Sequence, residues 1–258
     1  MKHHFLDYES EIPSPIRSLN PKTKFIALVG IVVLIVSTSP EEMGKFALYA
    51  LLVLALLLMS NIGPKLYIKR VLVITPFVLV ALVAVPFVTP DPNTPVIPLG
   101  VFGLSASRAG LLLLFGVTAK ATLAVLLMTL LLSSTPFTDL VTGLREMKIP
   151  SVMTDTLSFM YHFQFLLIDE MERISRARDA RMYGGRWIWH APIVGYVIGA
   201  LFLRSLERGE RTYLAMKARG YDSRYIMTGT GRLAIFDYLF LVLTLPVAVV
   251  IRLWGDIL

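Results

Sequence analysis

Five stretches of this chain carry almost no charge, and the block between the last two is crowded with it. The apolar stretches are residues 25–39, 44–62, 71–89, 105–132 and 233–254. Residues 133–232 hold 14 basic and 10 acidic side chains, which is 24 of the 43 charged residues in a chain of 258. A helix needs about 20 apolar residues to cross the ~30 Å hydrocarbon core of a bilayer. Such a chain answers to two solvents, and one soluble core cannot accommodate it. The predicted fold is therefore an all-α polytopic membrane protein. About five transmembrane helices are expected, with one short and two long crossed coupling helices at the cytoplasmic face. Residues 1–132 would form an N-terminal membrane part of four spans, 133–232 the coupling-helix domain, and 233–258 the last span. Composition agrees: 17% of residues are charged, against about 25% in ordinary soluble domains.

The first stretch is short for a span unless its flanks join it. Some 24 residues precede it and no small-x-small site follows, so it is not expected to be a cleaved signal. Pro76 and Pro86 are expected to kink the third span. Residues 90–103, with Pro90, Pro92, Pro95 and Pro98, read as an exposed loop. Short-loop charges set the orientation. Lys2, Arg17, Lys22 and Lys24 precede the first span, and Lys65, Lys69 and Arg70 follow the second with no acid among them. The other two connections hold Glu41, Glu42 and a single Lys45, then only Asp91 before Arg108. This places the N-terminus and the central block in the cytoplasm and the C-terminus outside, a parity that five spans satisfy.

The central block is helical in pattern. Met153, Leu157, Met160, Phe163, Leu167, Met171 and Ile174 recur at the spacing of one helix face over residues 151–183. Asp169–Arg173 and Glu172–Arg176 are acid-before-base pairs four apart, as on a wetted face. A second helix is expected over 190–219, apolar first and charged later, with Gly220 as its terminating residue. Gly195 and Gly199 would let it pass close to a partner. A shorter helix over 137–147 precedes both and stops before Pro150. Two further spans are the alternative to these interfacial helices, and the Arg and Glu that fill their turns disfavour it.

Little of the usual chemistry is on offer. With no cysteine, thiol catalysis and Cys-ligated metals are excluded. No P-loop, HExxH or GxSxG pattern occurs, so the chain reads as non-catalytic, binding neither ATP nor metal itself. His162 and His190 read as packing or interfacial residues. Lys120 lies mid-span, where a charge costs about 2.5–3.5 kcal/mol on insertion scales, so it needs a partner. Asp237 is the candidate counter-charge. The basic surplus follows the positive-inside pattern, and no nucleic-acid partner is implied.

The strongest local signal is a repetition at the charged ends of the two long helices, RARDARMYGG (residues 176–185) and YLAMKARGYDS (residues 213–223). Each sets Ala-Arg near a helix end with glycine soon after: Ala180-Arg181 and Ala218-Arg219. Alanine permits close approach, and guanidinium forks to carboxylates or helix-end carbonyls. Spacing alone leaves docking beside a simpler account, because Ala-Arg is common and positive-inside bias enriches arginine here.

Three stretches resemble the transmembrane T component of energy-coupling-factor (ECF) transporters: SPIRSLNPKTKFIAL (residues 14–28), DEMERISRARDARMYGG (169–185) and SLERGERTYLAMKARGYDS (205–223). The acidic lead Asp7, Glu9 and Glu11 before the first is most similar to the cobalt/nickel, CbiQ-like branch. The resemblance implies an ATP-driven importer in which two Ala-Arg-Gly-like motifs dock into two ABC ATPase subunits. Those subunits would bind ATP and Mg, and a separate membrane S component would bind the substrate. Ala218, Arg219 and Gly220 match the second motif. Ala180 and Arg181 match the first, with Met182 standing where Gly or Ser is usual, and Ala177-Arg178 is the competing register. The implied location is the plasma or inner membrane of a prokaryotic cell. A vitamin-importing T component has a similar opening and is one alternative reading. A stand-alone secondary transporter is the other, and it would need paired intramembrane acids.

Overall fold

The computed structural model describes residues 16–40, 42–82, 96–98, 105–181, 191–221 and 234–253. Helices α1 (Pro21–Ser37), α2 (Met43–Met59) and α3 (Pro64–Leu82) are followed by a short antiparallel ribbon, β1 (Val96–Pro98) with β2 (Ser105–Ser107). Then come α4 (Arg108–Ser134), α5 (Phe137–Glu146), α6 (Ser151–Ala180), α7 (Ala191–Ala218) and α8 (Ile235–Leu253). The described residues are thus all-α apart from that ribbon, whose first strand lies in the predicted loop and whose second takes the first three residues of the predicted fourth span. Pro98 is its edge residue, paired with Ser105. The described residues divide into two compact units, with breaks after 143 and between 221 and 234.

The first unit contains α1–α4, α8 and most of α5. Helix α1 begins at Asn20, whose side chain accepts the Lys22 N–H at 2.9 Å, with proline at the first helical position. The apolar stretch and its basic flank thus form one helix of 17 residues. Helix α3 starts at Pro64, earlier than the apolar run suggested, so Lys65, Lys69 and Arg70 lie on the helix itself. It is continuous through Pro76, as α8 is through Pro246. Pro86 lies outside the described residues. Two segments, Gly110–Ser134 and Ile235–Leu253, are long and apolar enough to cross a membrane, and Met43–Met59 is a shorter apolar helix.

Helix α1 is the centre of this unit. Ala27, Leu28, Ile31 and Ile35 on one face are fully buried against α4 and α8. Leu127, Leu130, Ala248 and Tyr49 complete the core. The outward faces are apolar too: Leu51 and Leu58 on α2, Leu72 and Phe77 on α3, and Phe236 and Leu243 on α8 are exposed. A surface this greasy suits hydrocarbon as its solvent. Hydroxyls within these helices bond their own backbone, as Thr118 does to the Leu114 carbonyl and Thr244 to that of Phe240.

Polar contacts show which helix ends lie together. Lys24, at the start of α1, donates to the carbonyl of Ser134 at the end of α4 (3.2 Å). Asp237, at the start of α8, accepts from the Asn20 N–H at 2.7 Å. At the opposite ends, Lys45 on α2 donates to the carbonyl of Arg252 at the end of α8 (2.8 Å). Neighbouring helices in the sequence therefore alternate in direction. Gly116 permits close approach of the α1–α2 turn, since a Cβ there would stand 2.7 Å from the Pro40 side chain.

The second unit holds α6 and α7, running antiparallel. Glu170, two-thirds of the way along α6, pairs with Arg204 at the middle of α7. Glu172–Arg176 forms at 3.2 Å, and Arg173 lies 3.7 Å from Glu170. The apolar stripe of α6 is only partly covered, with Met153, Met160 and Met171 exposed. Gly195 and Gly199 have open space where a Cβ would stand, with no described residue packed against either. Helix α5 straddles the division. Its Gly143 fits against Pro21 and Lys22, where a Cβ would meet the Lys22 nitrogen at 3.0 Å. The first seven residues of α5 thus belong to the first compact unit.

Candidate functional site

The two Ala-Arg motifs sit at helix ends, as their sequence context predicted, and the local chemistry explains both ends. Helix α7 stops in a Schellman turn. Gly220 takes φ +82°, its N–H bonds the Lys217 carbonyl at 3.0 Å, and the Tyr221 N–H bonds the Met216 carbonyl at 3.0 Å. Glycine adopts this left-handed backbone without the steric cost of a side chain. Arg219 is fixed by the turn, its own N–H shared between the Ala215 and Met216 carbonyls at 3.2 and 3.0 Å. Ala218, Arg219 and Gly220 are all exposed.

Helix α6 ends at Ala180. Arg181 is its cap residue, with φ −85° and ψ 16°, and its N–H bonds the Arg178 carbonyl at 3.1 Å. Ala180 and Arg181 are exposed, whereas Met182 lies outside the described residues. The competing register differs in charge environment. Arg178 forks onto the neighbouring Asp179, Nε at 3.0 Å and Nη2 at 2.8 Å from Oδ1. That guanidinium is already engaged, and Ala177 beside it is exposed. Arg181 makes no ion pair to a described residue, which leaves it the freer of the two for a partner.

The antiparallel arrangement puts the motifs at opposite ends of the pair. Tyr221, just past the second motif, stands edge-on to Phe159 near the start of α6, with ring centroids 6.3 Å apart and planes at 76°. Arg181 lies 22 residues further along that helix, roughly 33 Å at 1.5 Å per residue. Between them, Arg173, Ile174, Ala177, Arg178 and Arg181 from α6 line an open cavity of about 530 Å³ with Ile193, Tyr196, Val197, Ala200 and Arg204 from α7. The hydrogen bond from Arg204 holds the Glu170 carboxyl below its ordinary range. Spacing in the sequence revealed both tips. It did not reveal that they face away from each other, because antiparallel packing is a property of the pair.

The expected intramembrane charge pair is not formed. Lys120 donates to the carbonyl of Val36 at 2.9 Å, near the end of α1. Asp237 accepts the N–H of Asn20 at 2.7 Å and that of Ala234 at 2.8 Å, the second closing the start of its own helix. Helix ends leave carbonyls and N–H groups without intrahelical partners, and these two side chains satisfy them. Among the described residues, no group of three or more His, Asp or Glu side chains is placed to hold a metal ion.

A family profile described as CbiQ, cobalt transport protein, matches residues 13–228. The chain is 24% identical over 221 residues to a putative fused cobalt transport protein CbiMQ of Methanocorpusculum labreanum, covering 85% of this chain and 37% of that protein. It is 30% identical over 122 residues to the cobalt transport protein CbiQ of Rhodobacter capsulatus, covering 46% and 49% respectively. The nickel permease LarQ of Lactiplantibacillus plantarum is 29% identical over 128 residues, covering 47% and 44%.

Proposed function

We propose, from the premise that this chain belongs to the CbiQ family of cobalt transport proteins, that it is the coupling component of an ATP-driven importer of the energy-coupling-factor type. The family is one of integral membrane transport components. The cargo is proposed to be cobalt or nickel ions, in keeping with the names of the relatives. The single observation that carries the coupling role is the geometry of the tips: two exposed arginines end two long antiparallel helices, and the Phe159 that meets Tyr221 beside Arg219 lies roughly 33 Å along α6 from Arg181. One small partner groove cannot engage both at that separation. Two copies of a cytoplasmic partner can, and two ABC ATPase subunits are the partners proposed.

In this reading the ATPases bind ATP and Mg, and a separate membrane S component binds the ion. ATP binding closes the ATPase dimer and draws its two grooves together. Arg181 and Arg219, held in those grooves through guanidinium–carboxylate or guanidinium–carbonyl contacts, move the helix tips. Each helix is continuous for about 30 residues, so displacement at a tip becomes tilt at its apolar half, and the S component reorients. The N-terminus is proposed to lie in the cytoplasm of a prokaryotic cell and the C-terminus outside it. The chain supplies transmission, and it carries out no covalent step.

Arg219→Glu tests the reading. ATPase subunits should no longer co-purify with the variant and ion uptake should stop, while insertion in the membrane persists. Uptake at the wild-type rate in that variant overturns the proposal.

A further inference from the structure

Among the described residues, an aromatic contact joins the second arginine tip to the helix that carries the first tip. The Schellman turn fixes Arg219 relative to Tyr221, two residues on, through the Gly220 and Tyr221 N–H bonds. Tyr221 is half-buried, and its ring and that of Phe159 form a T-shaped pair with centroids 6.3 Å apart. Such edge-to-face pairs have a preferred geometry as well as a buried area, so they fix direction. Around Arg219 the other residues of the turn, Ala218 and Gly220, are exposed, as are Leu214 and Lys217 one turn earlier. Nearer the middle, the helices are joined by Glu170 and Arg204, a pair on which Arg173 also converges.

We propose that Tyr221 and Phe159 are positioning residues. They latch the Arg219 tip onto α6 and thereby make α6 the ruler that sets the distance between Arg181 and Arg219. The inference rests on the docking function proposed above, and it adds a requirement on the partner. To capture the chain, before ATP draws them together, the two ATPase grooves must present themselves at the separation that α6 dictates, and the ring contact keeps the free chain already at that separation. Loss of the contact lets α7's end swing, so only a fraction of molecules hold both arginines at the right spacing, and apparent affinity falls by that fraction.

The test uses the full chain in detergent or nanodiscs. Because the sequence has no cysteine, nitroxide labels can be placed on Arg176→Cys and Lys217→Cys alone. The wild-type background should give one narrow distance distribution. Tyr221→Ala should broaden it and weaken ATPase capture roughly 2- to 12-fold, the range that 0.5–1.5 kcal/mol of aromatic pairing corresponds to. Tyr221→Phe, which keeps the ring and drops the hydroxyl, should restore both readouts, and Phe159→Leu should repeat the Tyr221→Ala result. A narrow distribution and undiminished capture in Tyr221→Ala overturn the latch. So does a Tyr221→Phe variant as impaired as Tyr221→Ala, since the hydroxyl would then be the functional group. The distances are measured without ATPase, so they judge the latch even where Arg219→Glu has disproved docking. Conversely, loss of capture in Arg219→Glu with no effect of Tyr221→Ala leaves docking standing and removes the latch.

Discussion

Lys24 and Lys45 near helix starts, and Lys120 in mid-helix, act as caps for other helices. Lys24 is 1% exposed, and its ammonium donates to the carbonyls of Arg17 and Ser134, both at 3.2 Å. Lys45 reaches the Arg252 carbonyl and Lys120 the Val36 carbonyl. In each pairing with Ser134, Arg252 or Val36, the acceptor is in the last turn of a helix, where carbonyls lack an intrahelical donor and carry the negative end of the helix dipole. The long, flexible ammonium chain suits this task, since it can reach past a neighbour's backbone. Lys24→Met should leave the Ser134 carbonyl buried without a donor. The expected loss is about 1–3 kcal/mol, measured as unfolding in mixed micelles, and a variant as stable as wild type would contradict the capping role. The sequence revealed that Lys120 needs a partner but not which one. Asp237 was the natural guess from charge, yet a carbonyl is as good a partner as a carboxylate once a helix end is nearby.

Among the elements, the α6–α7 pair was legible in outline: two helices of about 30 residues, each ending in charge, with Gly220 as a stop. Periodicity and the C-terminal glycine carry that information locally. The pairing partner of each charge was less legible. Glu170, which the i,i+4 pattern did not single out, is the acid that joins the helices through Arg204. Only the antiparallel register brings positions 34 residues apart together. Its carboxyl is held below its ordinary pKa of 4.5 first by the Arg204 hydrogen bond and then by Arg173 and Arg208. A depressed folded pKa means the contribution is complete above that ordinary value and is lost as pH falls through the lowered one. Spin-label distances across the pair should therefore stay constant from neutral pH down to about 4.5 and broaden only below it. Glu170→Gln should show the broadened form already at neutral pH. Broadening of the wild type between pH 6 and 8 would falsify the assignment to this carboxylate.

For the molecule as a whole, the apolar runs located α1–α4 and α8, and the loop charges supply a proposed orientation for them. Helix ends shifted where a polar flank joined an apolar run, as at Pro21 and Pro64. The ribbon of Val96–Pro98 and Ser105–Ser107 escaped because three-residue strands leave no usable periodicity. Alternating helix directions place Ser39 and Lys65 at opposite ends of the first unit. With the proposed orientation, a membrane-impermeant maleimide added to intact cells should label Ser39→Cys and spare Lys65→Cys, and the reverse result would invert the topology. The polar ties of this unit also have a temporal side. The Asn20 N–H waits for a partner 217 residues later, whereas Lys45, paired locally with Glu42 at 2.9 Å, gains a further acceptor 207 residues later. At 5–20 residues per second of synthesis, that gap lasts roughly 10–40 s. During that interval α1 and α2 are already made while the end of α8 does not exist, so the Asn20 N–H needs temporary company from water, lipid headgroups or an insertion factor. A translation arrest before α8 therefore leaves the start of α1 without the Asp237 carboxylate that accepts the Asn20 N–H, and the bundle without its closing polar tie.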